Sequence, residues 1–214
     1  MKNTILLLML LNTASIAAQG FQAFVNSLFA TPAAQRQARV DSFMSANNQF
    51  PLIEDDSVAN FILTGNHSLV QVAGDMNGWN PTSGGYTMVK VPSTNFFFLS
   101  KYFETNARLD YKFVTDGSTW ILDPNNPNQV SGGFGPNSEL KMPFYVDPWE
   151  IESYPQVAKG GISTHNFSST YLNGNYEVKV YIPAGYDSTL SYPTAYFHDG
   201  TEYISLASAV NVLD

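Results

Sequence analysis

Two periodicities divide this chain. Phe21, Phe24, Val25, Leu28 and Phe29 fall at i, i+3, i+4, i+7 and i+8, one apolar stripe along one face of a helix. Thr31-Pro32 then offers an N-cap followed by a proline at the first helical position. Ala33, Gln37, Val40, Phe43 and Met44 carry a second helix as far as Asn47-Asn48 and Pro51. This helical pair, residues 19–50, is expected to cover one flank of the region C-terminal to it. From about Val58 the period falls to two. Phe61-Ile62-Leu63, Val70-Gln71-Val72, Met88-Val89-Lys90-Val91, Phe96-Phe97-Phe98-Leu99, Leu109 to Phe113 and Trp120-Ile121-Leu122 read as strands. Gly65-Asn66, Gly74-Asp75, Asn77-Gly78, Ser83-Gly84-Gly85 and Asp116-Gly117 punctuate them. Short strands with no helices between them predict a β-sandwich over residues 51–145.

The pattern changes again after residue 145. Pro148-Trp149-Glu150-Ile151-Glu152, Pro155 and Lys159-Gly160-Gly161 mark a linker over 146–161. Trp149 there either lines a substrate cleft or seals an interface. A strand from His165 to Leu172, the turn Asn173-Gly174 and the alternating Tyr176, Val178, Val180 and Ile182 then predict a hairpin. The apolar run Tyr192 to Phe197 reads as a buried strand. It breaks at the turn His198-Asp199-Gly200, and Tyr203, Leu206, Ala207, Val210 and Leu213 follow as one helical stripe. Strand, polar turn and helix form the unit that α/β folds place at the edge of an active site. So few elements cannot cover both faces of an α/β sheet. Residues 162–214 are therefore read as the N-terminal part of a larger domain.

Composition narrows the function. Hydrophobic residues make 44% and charged residues 13%, the balance of a globular chain and not of a disordered one. A net charge of -8 argues against nucleic acid or an anionic membrane as partner, since both need a basic face. With no cysteine there is no disulfide and no thiolate chemistry. Lys2, the apolar Ile5 to Leu11 and the small residues at Ser15-Ile16-Ala17 read as a signal peptide over 1–18, cleaved near Ala17 or Ala18. The mature protein is thus expected to be exported, and no later stretch is apolar over the roughly 18 residues of a membrane span.

Val72-Ala73-Gly74-Asp75-Met76-Asn77-Gly78-Trp79, then Tyr111-Lys112-Phe113-Val114, then Trp120 to Pro127 resemble the Ig-like early-set module related to glycogen- and starch-binding domains. That resemblance leaves Trp79 and Trp120 two roles, packing beneath their turns or stacking on a sugar. Val178 to Tyr186 and Tyr192 to Tyr203 resemble the opening of the α/β-hydrolase fold in its esterase branch, which includes enterochelin, feruloyl and acetyl-xylan esterases. The module standing before it strengthens the likeness. The whole therefore reads as a two-domain chain, an all-β Ig-like sandwich with an N-terminal helical pair followed by the start of an α/β-hydrolase sheet.

The esterase resemblance implies hydrolysis by a serine nucleophile, a histidine base and an acidic orienter, with no metal or other cofactor. No G-x-S-x-G elbow is present; Gly161-Ile162-Ser163-Thr164-His165 departs from it at the fifth residue and lies at a strand start. No catalytic residue of the triad is therefore assigned. What the resemblance does assign is the turn that lends backbone N–H groups to an oxyanion hole. Asp199 shapes that turn, Gly200 and Thr201 supply the donors, and His198 stands near the cleft. An ordinary strand-to-helix loop is the competing account. The expected substrate is an acylated polysaccharide or an ester siderophore. A carbohydrate-binding accessory module, stacking sugar on Trp79, Trp120 and Trp149, is the alternative. Asp123 to Pro127 fails as a calcium loop, having proline where a ligand belongs. Gly132-Gly133-Phe134-Gly135 runs into Pro136 and not a helix, so it is no phosphate cradle.

Overall fold

The computed structural model describes residues 20–214; the signal-peptide segment lies outside them. Both expected helices form, α1 at Phe21–Ala30 and α2 at Ala33–Ala46. Thr31 does not cap α2. Its hydroxyl donates back to the carbonyl of Ser27 at 2.7 Å, satisfying the end of α1 instead.

Strands β1 (Leu52–Glu54), β2 (Val58–Thr64), β3 (Val70–Gly74), β4 (Val89–Lys90), β5 (Phe96–Tyr102), β6 (Arg108–Thr115), β7 (Thr119–Ile121), β8 (Gln129–Val130) and β9 (Asn137–Lys141) make two antiparallel sheets. One runs β1-β2-β5-β4 and the other β3-β6-β9-β8, with β7 also on β6. The sheets pack face to face. Phe61, Leu63 and Phe97 from the first meet Val72, Tyr111, Phe113 and Leu140 from the second. Side chains alternate across a strand, so the first sheet still has an outer apolar face. Ile62 and Phe96 point that way and bury against Phe21, Phe24, Leu28 and Val40 of the helices. This explains why the middle of β2 is buried without interruption: it is the central layer of three. The N–H of Phe21 donates to the Glu54 carboxylate, setting an acid against the positive end of α1.

Burial stops at Met142, and no residue from 143 to 214 is buried. The hairpin forms as read, β10 (Gly161–Ser169) on β11 (Gly174–Ile182). Two expectations beyond it are corrected. The segment 192–197 is in no ladder, and it is exposed. A strand is held by a neighbour's hydrogen bonds, and none of the described residues supplies one. The single helical stripe is two short helices, α3 (Gly200–Ser205) and α4 (Ala209–Leu213), parted at Ser208, whose φ of 52° is left-handed. No helix among the described residues is long and apolar enough to cross a membrane.

Candidate active-site turn and aromatic surface

The Gly74–Trp79 corner explains itself atom by atom. A Cβ at Gly74 would lie 2.2 Å from the carbonyl oxygen of Asp110, so only glycine fits. Asn77 accepts from the Gly74 N–H and donates to the Val72 carbonyl, both at 2.9 Å. Asp75 accepts the Trp79 indole N–H at 2.9 Å with one oxygen and the Asp110 N–H at 2.8 Å with the other. Trp79 itself stands at φ 59°, a conformation costly for a bulky residue. Those bonds fix the half-buried ring beside β7. There it meets Trp120 on β7, 44% exposed, with centroids 6.4 Å apart and planes 28° apart. Trp149 makes no ring contact with either. It stands 69% exposed at a 280 Å³ cleft shared with Glu152, Lys159, Asn211 and Asp214. The structure thus brings together two of the three tryptophans.

The Asp123–Pro127 run is a clasp, not a metal loop. Tyr111, wholly buried on β6, donates its hydroxyl to Asp123 at 2.7 Å and accepts from the Asn126 amide at 3.1 Å. Asn126 donates also to the Glu139 carbonyl at 2.8 Å. Burial pushes the Asp123 carboxyl up, against the pull of Tyr111 and two backbone N–H groups. No group of three metal-ligating side chains occurs among the described residues.

At the turn, Asp199 is left-handed with φ 55°. Its carbonyl accepts from the N–H groups of Glu202 and Tyr203 at 2.9 and 3.2 Å, while its side chain caps nothing. The first N–H groups of α3 have no intrahelical partner, as an oxyanion-binding turn requires. Gly200 and Thr201 line an open groove of 810 Å³ between residues 177–182 of β11 and residues 192–197. His198 is exposed and does not line it. Lys179 does, reaching the Thr201 hydroxyl at 3.4 Å and Glu177 at 3.4 Å. In the sequence it was one polar position in an alternating strand, with nothing to link it to a turn 22 residues on. Across from it, α4 is docked on the linker. Asn211 donates to the Ile151 carbonyl at 2.8 Å, and the Asp214 carboxylate accepts from the Gly160 N–H at 2.8 Å and the Tyr181 hydroxyl at 2.9 Å.

Two serine–histidine contacts need separating from a catalytic relay. Ser163 meets His165 Nε2 at 2.9 Å on the exposed face of β10, with no carboxylate behind the imidazole among the described residues. Ser68 and His67 both bond Asp116, at 2.7 and 3.1 Å. There the hydroxyl donates to the carboxylate and not to the imidazole, so His67 is not placed to take its proton.

No family model matches the chain, and no curated protein matches it. Solved structures do. A ferric enterobactin esterase of Salmonella typhimurium superposes with a TM-score of 0.55 at 17% identity, over 81% of this chain and 53% of that one. An enterobactin esterase of Shigella flexneri, solved in the presence of enterobactin, gives 0.51 at 18% identity over the same shares. At such identity the likeness is one of fold. It takes in most of this chain, which spans about half the length of those structures.

Proposed function

We propose that this chain is the N-terminal portion of an exported serine ester hydrolase, an Ig-like module joined to the start of an α/β-hydrolase domain. One observation carries the reading: the fold shared with two enterobactin esterases over 81% of the chain. The groove beside β11 supports it, lined at one end by Gly200 and Thr201, whose N–H groups open α3 and have no partner within the helix. In this reading Gly200 and Thr201 donate to the developing oxyanion, Asp199 bends the chain into place, and His198 stands outside the groove wall. The substrate is a small ester, of a siderophore or of an acylated polysaccharide. The signal segment at 1–18 directs export.

The test uses the polypeptide encoded by the whole reading frame, with 4-nitrophenyl acetate and a catechol ester. Hydrolysis abolished by a serine-directed organophosphate is expected from it, and none from residues 1–214 alone. Turnover by the 214-residue chain above a boiled control refutes the domain reading. A second reading rests on the Trp79–Trp120 pair. Two nearly parallel indoles, Trp120 exposed and Trp79 half-buried, suit the flat face of a pyranose, and glycan binding by the sandwich is compatible with either result of the hydrolysis assay. Affinity electrophoresis on xylan, starch and glycogen tests it: retardation is expected and is lost in Trp120→Ala. Equal mobility with and without each glycan excludes it.

A further inference from the structure

Asparagine is followed by glycine at two places, Asn77-Gly78 and Asn173-Gly174. Glycine has no side chain to crowd its backbone nitrogen. At such a pair that nitrogen can approach the amide carbon of the asparagine before it. The structure treats the two pairs differently. Asn77 is half-buried, and its amide is held at both ends. Its Oδ1 accepts from the Gly74 N–H and its Nδ2 donates to the Val72 carbonyl, each at 2.9 Å. The Gly78 N–H is turned to the Asp75 carbonyl at 3.4 Å. Asn173 is exposed instead, the last residue of the loop 170–173 between β10 and β11, with a left-handed φ of 47°. The hydrogen bonds of this tip pass it by. The Leu172 N–H donates to Ser169 Oγ and the Leu172 carbonyl accepts from the Tyr176 hydroxyl, each at 3.1 Å, while the Asn173 amide has no partner among the described residues. One asparagine amide is locked, and the other is free to turn toward the nitrogen that follows it.

We propose that Asn173 is a modification site, deamidated without an enzyme in the folded protein, and that Asn77 is shielded from the same reaction by its corner. The Gly174 nitrogen gives its proton to solvent base and bonds to the Asn173 side-chain amide carbon. The bond from that carbon to the amide nitrogen breaks, and ammonia leaves. Water then opens the cyclic imide at one of its two C–N bonds, giving aspartate or isoaspartate. At Asn77 two hydrogen bonds must break before the amide can turn, which slows the reaction there by about thirtyfold. Either product at residue 173 puts a negative charge on a tip that has no Lys, Arg, Asp or Glu from Asn166 to Tyr176. Isoaspartate also lengthens the backbone by one atom inside the turn that sets the hairpin register. The Ser169–Gly174 pair, which closes the ladder at that end, is then the first to loosen. None of this depends on the ester-hydrolase reading.

The test ages the full 214-residue chain at about pH 8, one sample folded and one in urea, and follows both asparagines by peptide mass spectrometry with enzymatic methyl labelling of isoaspartate. In the folded sample Asn173 is expected to convert about thirtyfold faster than Asn77. In urea the two convert at similar rates, because the corner that protects Asn77 is gone. Gly174→Ala crowds the attacking nitrogen and slows conversion at Asn173, leaving Asn77 unchanged. The added Cβ would lie 3.2 Å from the hydroxyl of the Tyr176 ring, which can move aside. Equal rates at the two asparagines in the folded chain overturn the proposal, as does an Asn173 that converts only in urea or not at all.

Discussion

Tyr111→Phe tests the buried clasp with the smallest change available. The ring keeps its edge-on contacts with Phe61 and Phe113, at 5.0 and 5.8 Å, so no cavity opens. What is lost is one hydroxyl and two bonds. The donation to the Asp123 carboxylate goes, about 1.5–3 kcal/mol for a bond to a charged group. Asn126 keeps the Glu139 carbonyl but loses its second acceptor, which adds about 1 kcal/mol. The expected penalty at pH 8 is therefore about 2–4 kcal/mol, or some 5–15 °C in Tm for a domain of this size. The pH dependence carries a sign. Burial holds the Asp123 carboxyl above its ordinary value, so the folded state binds its proton more tightly. That contribution is full below the unfolded value of about 3.9 and is lost as pH rises through the folded one. Without the Tyr111 donor the carboxyl is pushed higher still. The gap between variant and wild type should thus narrow from pH 8 to pH 4, to about 1 kcal/mol for a neutral hydrogen bond. Urea unfolding followed by tryptophan fluorescence at both pH values measures it. A penalty under about 0.5 kcal/mol at pH 8, or one equal at both, refutes the reasoning.

Two further substitutions probe the rest of the sandwich. Phe24→Ala removes a ring stacked on Phe43 at 4.0 Å and edge-on to Phe96. It should cost about 3–5 kcal/mol and free the helices from the sheet, read as lost amide protection in α1 and α2 while β6 stays protected. Asp116 is held well below the usual carboxylate range, first by the Ser68 hydroxyl, then by the Ser68 N–H and by His67. Its contribution is present above the unfolded value of about 3.9 and is lost as pH falls from there through the lower folded value. Asp116→Asn should therefore speed amide exchange at Ser68 and Leu69 at pH 7, and the difference from wild type should shrink steadily below about pH 4.

Where one side of an element is buried, the sequence foretold it. Helix α1 and strands β2, β3, β5 and β6 stand where their apolar spacing placed them, because each lays an apolar face on a core. Strand β9 was silent. Its Asn137, Ser138 and Glu139 are buried through hydrogen bonds and ion pairs, so no apolar alternation announces them. Arg108 holds Glu139 at 2.7 Å, a partner 31 residues away that no local pattern reveals. The Gly-Asp-x-Asn-x-Trp corner was legible as a corner. Which way its indole points was not, since that depends on Asp75 and the left-handed turn at Trp79. At the candidate turn, the hairpin and the break at His198-Asp199-Gly200 were foreseen, whereas Lys179 arrives by tertiary approach.

The segment 192–197 shows why apolar content alone does not make a strand. Its residues have the composition of a core strand, yet ladder bonds need a neighbour about 4.8 Å away, and β11 faces this segment across an open groove. The same deficit bears on chemistry. An oxyanion-binding turn works through donors held in place before the reaction, not through donors gathered during it. Here the turn hangs between an unpaired segment and a six-residue helix, tethered by one 3.4 Å bond from Lys179. A strand laid into the groove would pair the edge of β11, bury Val178 and Val180, and give 192–197 the neighbour it lacks. Order at the turn and burial of the apolar faces thus depend on one event. Any activity of this site should rise and fall with hydrogen-exchange protection of residues 192–197.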